Sequence, residues 1–246
     1  MSGQERTYRR WVQSDLHTFE VRVGESDLLI SAERPLRRVA ERALRSARAE
    51  VEGYLARDAE FAPAMGPREA LPGAPPIVVA MIEAARACGV GPMAAVAGAV
   101  AQRVGDALLE HAREVIVENG GDIFLCTQRP RVAAIYAGES PLTARVGVRI
   151  GRVNERLGLC TSSGTVGHSV SYGRADAAIV LAESAALADA AATALGNRIQ
   201  GSRDVEGGLE WLRTIAGVLG GAAVVGEHLG AWGEVELTAL QSGEGR

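Results

Sequence analysis

The sequence predicts an α+β fold built from two ββ-αα-ββ units, with antiparallel sheets and helices packed on them. Three observations predict it: short alternating apolar runs come in pairs, segments of helical periodicity follow them in pairs, and this order occurs twice along 246 residues. Strand pairs that bracket helix pairs favour antiparallel sheets over the alternating order of a doubly wound parallel fold. On this reading residues 1–246 form a single domain with pseudo-repeats at about 8–136 and 144–238, and a cleft between the halves is the natural ligand site.

The elements follow in order. Phe19 to Ser31 holds two alternating runs split by Gly-Glu-Ser-Asp, a hairpin pattern. After Pro35, Leu36, Val39, Ala43, Leu44, Ala47 and Val51 form one apolar stripe at helical spacing. A Pro/Gly-rich loop from Pro63 to Pro76 precedes a helix at Ile77–Ala87, which Gly89 and Gly91-Pro92 end, and another at Met93–His111. Glu114–Leu125 and Val132–Tyr136 are strand-like. In the second half, strands are expected at Ala144–Ile150, Ala175–Leu181, Ala222–Val225 and Glu234–Leu237, with helices at Ala185–Leu195 and Val205–Ile215.

Composition narrows the function. A net charge of -4 gives no electrostatic footprint for nucleic acid, and the Arg34–Arg48 cluster alternates with Ala, Leu and Glu as a solvated helix face does. The start of the chain lacks the apolar stretch of a secretory signal. Glu83, Arg86, Gln102 and Arg103 interrupt the longest weakly polar run, which argues against a membrane span. The expected location is the cytoplasm. Cys88, Cys126 and Cys160 are widely spaced, so reduced thiols are expected rather than a disulfide framework or a zinc site. A Gly-rich, apolar surface leaves room for a homodimer.

Four stretches carry candidate chemistry. Gly89-Val90-Gly91-Pro92-Met93-Ala94 has the spacing of a dinucleotide fingerprint, but it follows a helical segment, and Pro92 lacks one phosphate-facing N–H. Glu118-Asn119-Gly120-Gly121-Asp122 is either a plain hairpin turn or a place where paired glycines let a flat or phosphorylated ligand reach the backbone, with Asn119 and Asp122 as hydrogen-bonding groups. Thr161-Ser162-Ser163-Gly164, followed by His168, concentrates hydroxyls and glycine as an anion cradle would. Cys160 and His168 are the candidate catalytic groups, although no nucleophile elbow is present. Lastly, Asp189 and Thr193 stand four residues apart in an Ala-rich helix, so their oxygens share one face. Such a pair suits Mg2+, which takes few protein oxygens and leaves the rest to water and phosphate.

Taken together, the VENGGDIFL, CTSSG and ADAAATAL segments resemble the ApbE superfamily of FAD-dependent, Mg2+-dependent FMN transferases, and most closely its uncharacterised cytoplasmic branch, from about Tyr8 to Leu237. The resemblance implies an ApbE-like fold, with Asp189 and Thr193 as Mg2+ ligands because Ala188–Ala194 fits the family's A-D-x-x-A-T-A helix. It implies FAD or FMN as cofactor, held by Gly120-Gly121-Asp122 and Thr161–Gly164, and an acceptor protein as partner. Two departures stand beside it. Gly89–Ala101 contains no lysine where the transferases have one near the flavin, and Gly167-His168-Ser169 stands where they carry a His-Ile-Ile-Asp-Pro-type motif. Three functions stay open at this point: Mg2+-dependent flavin-nucleotide binding with FMN transfer, non-catalytic nucleotide binding, and a thiol role for Cys160 in sulfur assimilation.

Overall fold

The computed structural model describes residues 15–163 and 173–240. It is an α+β fold in three layers. Eleven strands among these residues form an eight-stranded and a three-stranded sheet, and five helices pack on one side of the larger, four of them directly on its strands.

The first unit begins with the expected hairpin, β1 (His17–Val23) and β2 (Ser26–Ala32). Helix α1 (Arg37–Leu55) buries the stripe Ala40, Leu44, Ala47, Val51 and Tyr54. Helix α2 (Pro76–Cys88) has Pro at its first position and ends on Gly89 in the left-handed conformation, φ 71°, a termination that glycine makes without steric cost. A 3₁₀ turn, Pro92–Ala95, leads into α3 (Val96–Leu109). The chain returns through β3 (Val115–Asn119) and β4 (Asp122–Cys126), a hairpin whose two turn residues, Gly120 and Gly121, both have positive φ.

Next come β5 (Arg131–Ala134) and β6 (Val146–Ile150), then β7 (Leu157–Ser162) and β8 (Ala177–Ala182). Helices α4 (Ala185–Arg198) and α5 (Val205–Leu212) precede β9 (Val218–Val225), β10 (His228–Gly233) and β11 (Glu236–Ala239). The large sheet runs β1-β2-β3-β4-β7-β8-β9-β10, antiparallel throughout, and β11-β6-β5 form the small one.

The strand-pair, helices, strand-pair order thus occurs twice within the large sheet. Two expected boundaries are corrected. The strand at 146–150 belongs to the small sheet, and the one that opens the second unit is β7, where no strand is expected. Strand β10 also lay outside the expected elements. Its Gly230 and Gly233 and the Gly158 of β7 break the alternation by which a half-buried strand is recognised.

Burial on both faces explains strand β8. In Ala-Ala-Ile-Val-Leu-Ala every residue is buried: Ala178, Val180 and Ala182 face the helices, whereas Ala177, Ile179 and Leu181 face the small sheet. The period of two survives in space although the sequence is uniformly apolar. Among the described residues no single helix is long and apolar enough to cross a membrane; α2 and the segment Pro92–Leu109 meet at 107° and are largely buried in the core.

Candidate functional site at the junction of two helices and two strand ends

Helix α4 is the centre of the helical layer, and its residues are almost all small. Ser184 caps it by accepting the Leu187 N–H at 3.1 Å, and the Gln102 side chain of α3 accepts the Ala185 N–H at 2.9 Å. Ala residues let neighbours come close. A Cβ on Gly98 of α3 would collide with the Ala185 carbonyl, and one on Gly158 of β7 would meet Ala185 N at 2.6 Å. These contacts bring α3, α4 and β7 together at one place.

Asp189 stands there. Its Oδ2 accepts the Gly98 N–H at 2.8 Å, and the Ala97 N–H also supports the carboxylate. Ala97 and Gly98 are the second and third residues of α3, whose own N-terminus has no side-chain cap. Asp189 therefore supplies from another helix the acceptor that the free N–H groups of a helix start require. Only 9% exposed, it is desolvated, and burial pushes its carboxyl up to about 7 even though both N–H groups favour the charged form. Thr193, half-buried one turn on, makes no hydrogen bond among the described residues, so the return bond to a preceding carbonyl common for helical Thr is not made.

The hairpin turn arrives from the other side. Asn119 is buried and donates from Nδ2 to the Ala97 carbonyl at 3.0 Å, the same turn of α3 that serves Asp189. Glu118 accepts the Gly121 N–H at 3.0 Å, which fixes the turn from within. Asp122 pairs in register with Cys160 of β7, and a Cβ on Gly121 would sit 3.6 Å from the Thr161 carbonyl. Asn119–Asp122, the Cys160–Ser163 strand end and Asp189 thus converge, although 70 positions separate Asn119 from Asp189 in the sequence. Gly164 and His168 lie outside the described residues.

Cys160 does not meet the conditions of a reactive thiol. It is fully buried, its Sγ donates to the Ala185 carbonyl at 3.5 Å, and burial raises the thiol well above its ordinary range, with the Asp122 and Asp189 carboxylates adding to the effect. A nucleophile needs the opposite on each count.

Ala97, Gly98 and Gln102 escape a reading of the sequence by motif. A glycine inside an Ala/Val-rich helical run is the available signal, since it marks a close approach. Two open grooves, about 330 and 510 Å3, lie elsewhere, one between α5 and β10 and the other around Gly151 and Glu234.

The donors at the junction are hard oxygens. Among the described residues no three His, Cys, Asp or Glu side chains are grouped to hold a metal. One buried carboxylate with a hydroxyl one turn away fits a cation that keeps most of its shell for water and phosphate.

Comparison with known proteins gives the family and the fold. A family model described as AbpE bacteria matches residues 9–207. A UPF0280 protein of Methanocella arvoryzae is 38% identical over 219 residues, covering 89% of either chain. One from Methanosarcina acetivorans is 40% identical over 214 residues, 86% of this chain and 84% of its own. Among solved structures, the flavin transferase ApbE from Vibrio cholerae superposes with a TM-score of 0.60 at 13% identity, over 89% of this chain and 97% of its own. The apo flavinyl transferase ApbE of Pseudomonas stutzeri gives 0.53 at 14%, over 89% and 94%. The chain therefore belongs to the AbpE bacteria family, an ApbE-like branch that includes the UPF0280 proteins, and shares its fold with the ApbE flavin transferases.

Proposed function

We propose that the junction binds a flavin nucleotide, FAD or FMN, together with Mg2+, and that its activity is of the FMN-transfer class. The observation that carries this is the buried Asp189 carboxylate, held by one edge at the start of α3, with a hydroxyl one turn away at Thr193 that makes no hydrogen bond among the described residues. A carboxylate raised to about 7 by burial is stabilised in its charged form by a cation, so Asp189 and Thr193 would hold the Mg2+. When bound, the metal supplies charge neutralisation at phosphate oxygens.

The rest of the reading rests on this chain's own groups. Gly120 and Gly121 offer bare backbone beside the Thr161 carbonyl, and the hydroxyls of Thr161, Ser162 and Ser163 stand at the end of the adjoining strand. Glycine backbone and hydroxyls of this kind suit a phosphate or an isoalloxazine edge. Transfer would break the FAD pyrophosphate, release AMP and join FMN to a hydroxyl of an acceptor protein. The fold shared with the flavin transferase ApbE of Vibrio cholerae and the flavinyl transferase ApbE of Pseudomonas stutzeri supports this class.

Binding without transfer is the second reading. The motivating observation is that Gly89–Ala101 has no lysine, and much of its length, including Ala95, Ala99, Val100 and Ala101, is buried in the core.

Calorimetric titration with FAD, with and without Mg2+, tests the site. Binding that requires Mg2+ and is lost in Asp189→Ala/Thr193→Ala is the expected result, and metal-independent binding or none would sink the proposal. Detection of FMN bound covalently to a Thr or Ser of an acceptor then separates transfer from binding alone.

A further inference from the structure

The two edges of the large sheet are built differently. On β1, Glu20 and Arg22 place charge on the strand, and Arg37 donates to the Glu20 carbonyl while lying 5.6 Å from the centre of the Phe19 ring. Charge and cover of this kind discourage strand addition. β10 has no such guard. Its sequence, His-Leu-Gly-Ala-Trp-Gly, contains no Lys, Arg, Asp, Glu or Pro, and among the described residues it pairs with β9 alone. Val225 and His228 flank a two-residue turn, so His228, Gly230 and Trp232 exchange bonds with β9, and the N–H and C=O of Leu229 and Ala231 point outward.

Helix α5 lies beside this edge. Glu206, Glu210 and Arg213 line the groove of about 330 Å3 that Ala231 and Trp232 close from the strand side, and Arg213 sits 5.4 Å from the Trp232 ring centre. Arg213 pairs with Glu210 of its own helix at 3.2 Å and keeps further N–H groups, so Glu206 at one end of α5 and Arg213 at the other suit an inverted copy of the helix.

We propose that β10 pairs antiparallel with β10 of a second copy of this chain, about a two-fold axis normal to the sheet through Ala231. Such an axis keeps both helical layers on one side and reverses every direction within the sheet plane. Residues on the same face then meet. Ala231 bonds the partner's Ala231 through both of its outward groups, and Trp232 stands opposite the partner's Gly230 in the register. The two α5 helices run antiparallel, with Glu206 facing the partner's Arg213 and the converse by symmetry. Like every isologous contact, this one must be self-complementary. The strands supply the hydrogen bonds, and the α5 charges set the register.

Light scattering during gel filtration of the full chain reads the mass directly. Wild type is expected at twice the chain mass. Ala231→Pro removes an outward N–H that β9 does not use, a substitution edge strands tolerate; it should give the single-chain mass with an unchanged circular dichroism spectrum. Arg213→Glu should also give the single-chain mass, and Glu206→Arg/Arg213→Glu should restore the doubled one. Three results overturn the proposal: a single-chain wild type, a doubled mass that survives Ala231→Pro, or a charge swap that fails to rescue.

Discussion

The carboxylate of Asp189 and the N–H of Gly98, 91 positions apart in the sequence, meet at 2.8 Å inside the protein. Removal of the acceptor leaves a buried donor unsatisfied, which costs about 1–3 kcal/mol. Asp189→Ala is therefore expected to lower stability by that order in a denaturant titration with chelator present. Asp189→Asn keeps an acceptor oxygen and should lose less.

The same carboxyl makes stability depend on pH. Its folded pKa, about 7, is raised from 3.8, so the unfolded chain releases this proton first as pH rises. The contribution is fully present below about pH 4, declines as pH rises towards 7 and is gone above it. Unfolding in chelator between pH 4 and 9 should show this decline in wild type and a flatter profile in Asp189→Asn. Equal profiles would show that Asp189 is not the titrating group.

Glycine positions separate close approach from mere flexibility. A Cβ on Gly98 would collide with the Ala185 carbonyl and lie 2.9 Å from Asp189 Cβ, and backbone cannot rotate away. Gly98→Ala should destabilise by about 1–3 kcal/mol, the usual scale for overpacking. Gly53 sits inside α1 with nothing within 4 Å of such a Cβ, so Gly53→Ala should stabilise by about 0.5–1 kcal/mol. Thermal melts of the two variants should move in opposite directions.

Much of this was legible in the residues. The Phe19–Ser31 hairpin, the α1 stripe and the Asn119–Gly120–Gly121 turn each carry a local signal, namely alternation, a 3.6-residue period or a glycine pair. What was hidden had no local signal. β7 and β10 contain glycines because helices press on them: Ala185 on Gly158, and Val205 and Leu209 on Gly230. The ADAAATA helix drew attention to Asp189 and Thr193, but nothing in the sequence tells that Asp189 caps α3 or that Asn119 holds the same turn. Those relations arise only when distant segments pack.

Thiol chemistry offers a check on the burial argument. Burial pushes the Cys88 thiol to about 12 and raises those of Cys126 and Cys160. Since the thiolate is the reactive form, alkylation of native protein at pH 8 should be slow at all three. Reaction at Cys160 should follow the rate of unfolding, and Cys160→Ala should retain Mg2+-dependent flavin binding. Fast native labelling of Cys160 would revive the thiol reading.

Asn119 provides the last test, because its two readings diverge. As a ligand-contacting group it would matter only to binding. As found, its Nδ2 is used by the Ala97 carbonyl at 3.0 Å, next to the two N–H groups that hold Asp189. Asn119→Ala should therefore cost about 1 kcal/mol in the absence of any ligand, the scale of one buried hydrogen bond. It should also weaken Mg2+-dependent FAD binding, because the α3 turn that orients the carboxylate loses a tether. A variant with unchanged stability but impaired binding would instead make Asn119 a direct contact. Comparison with Asp189→Ala completes the case: if both act through Ala97 and Gly98, the stability cost of the double variant should be smaller than the sum of the two single costs.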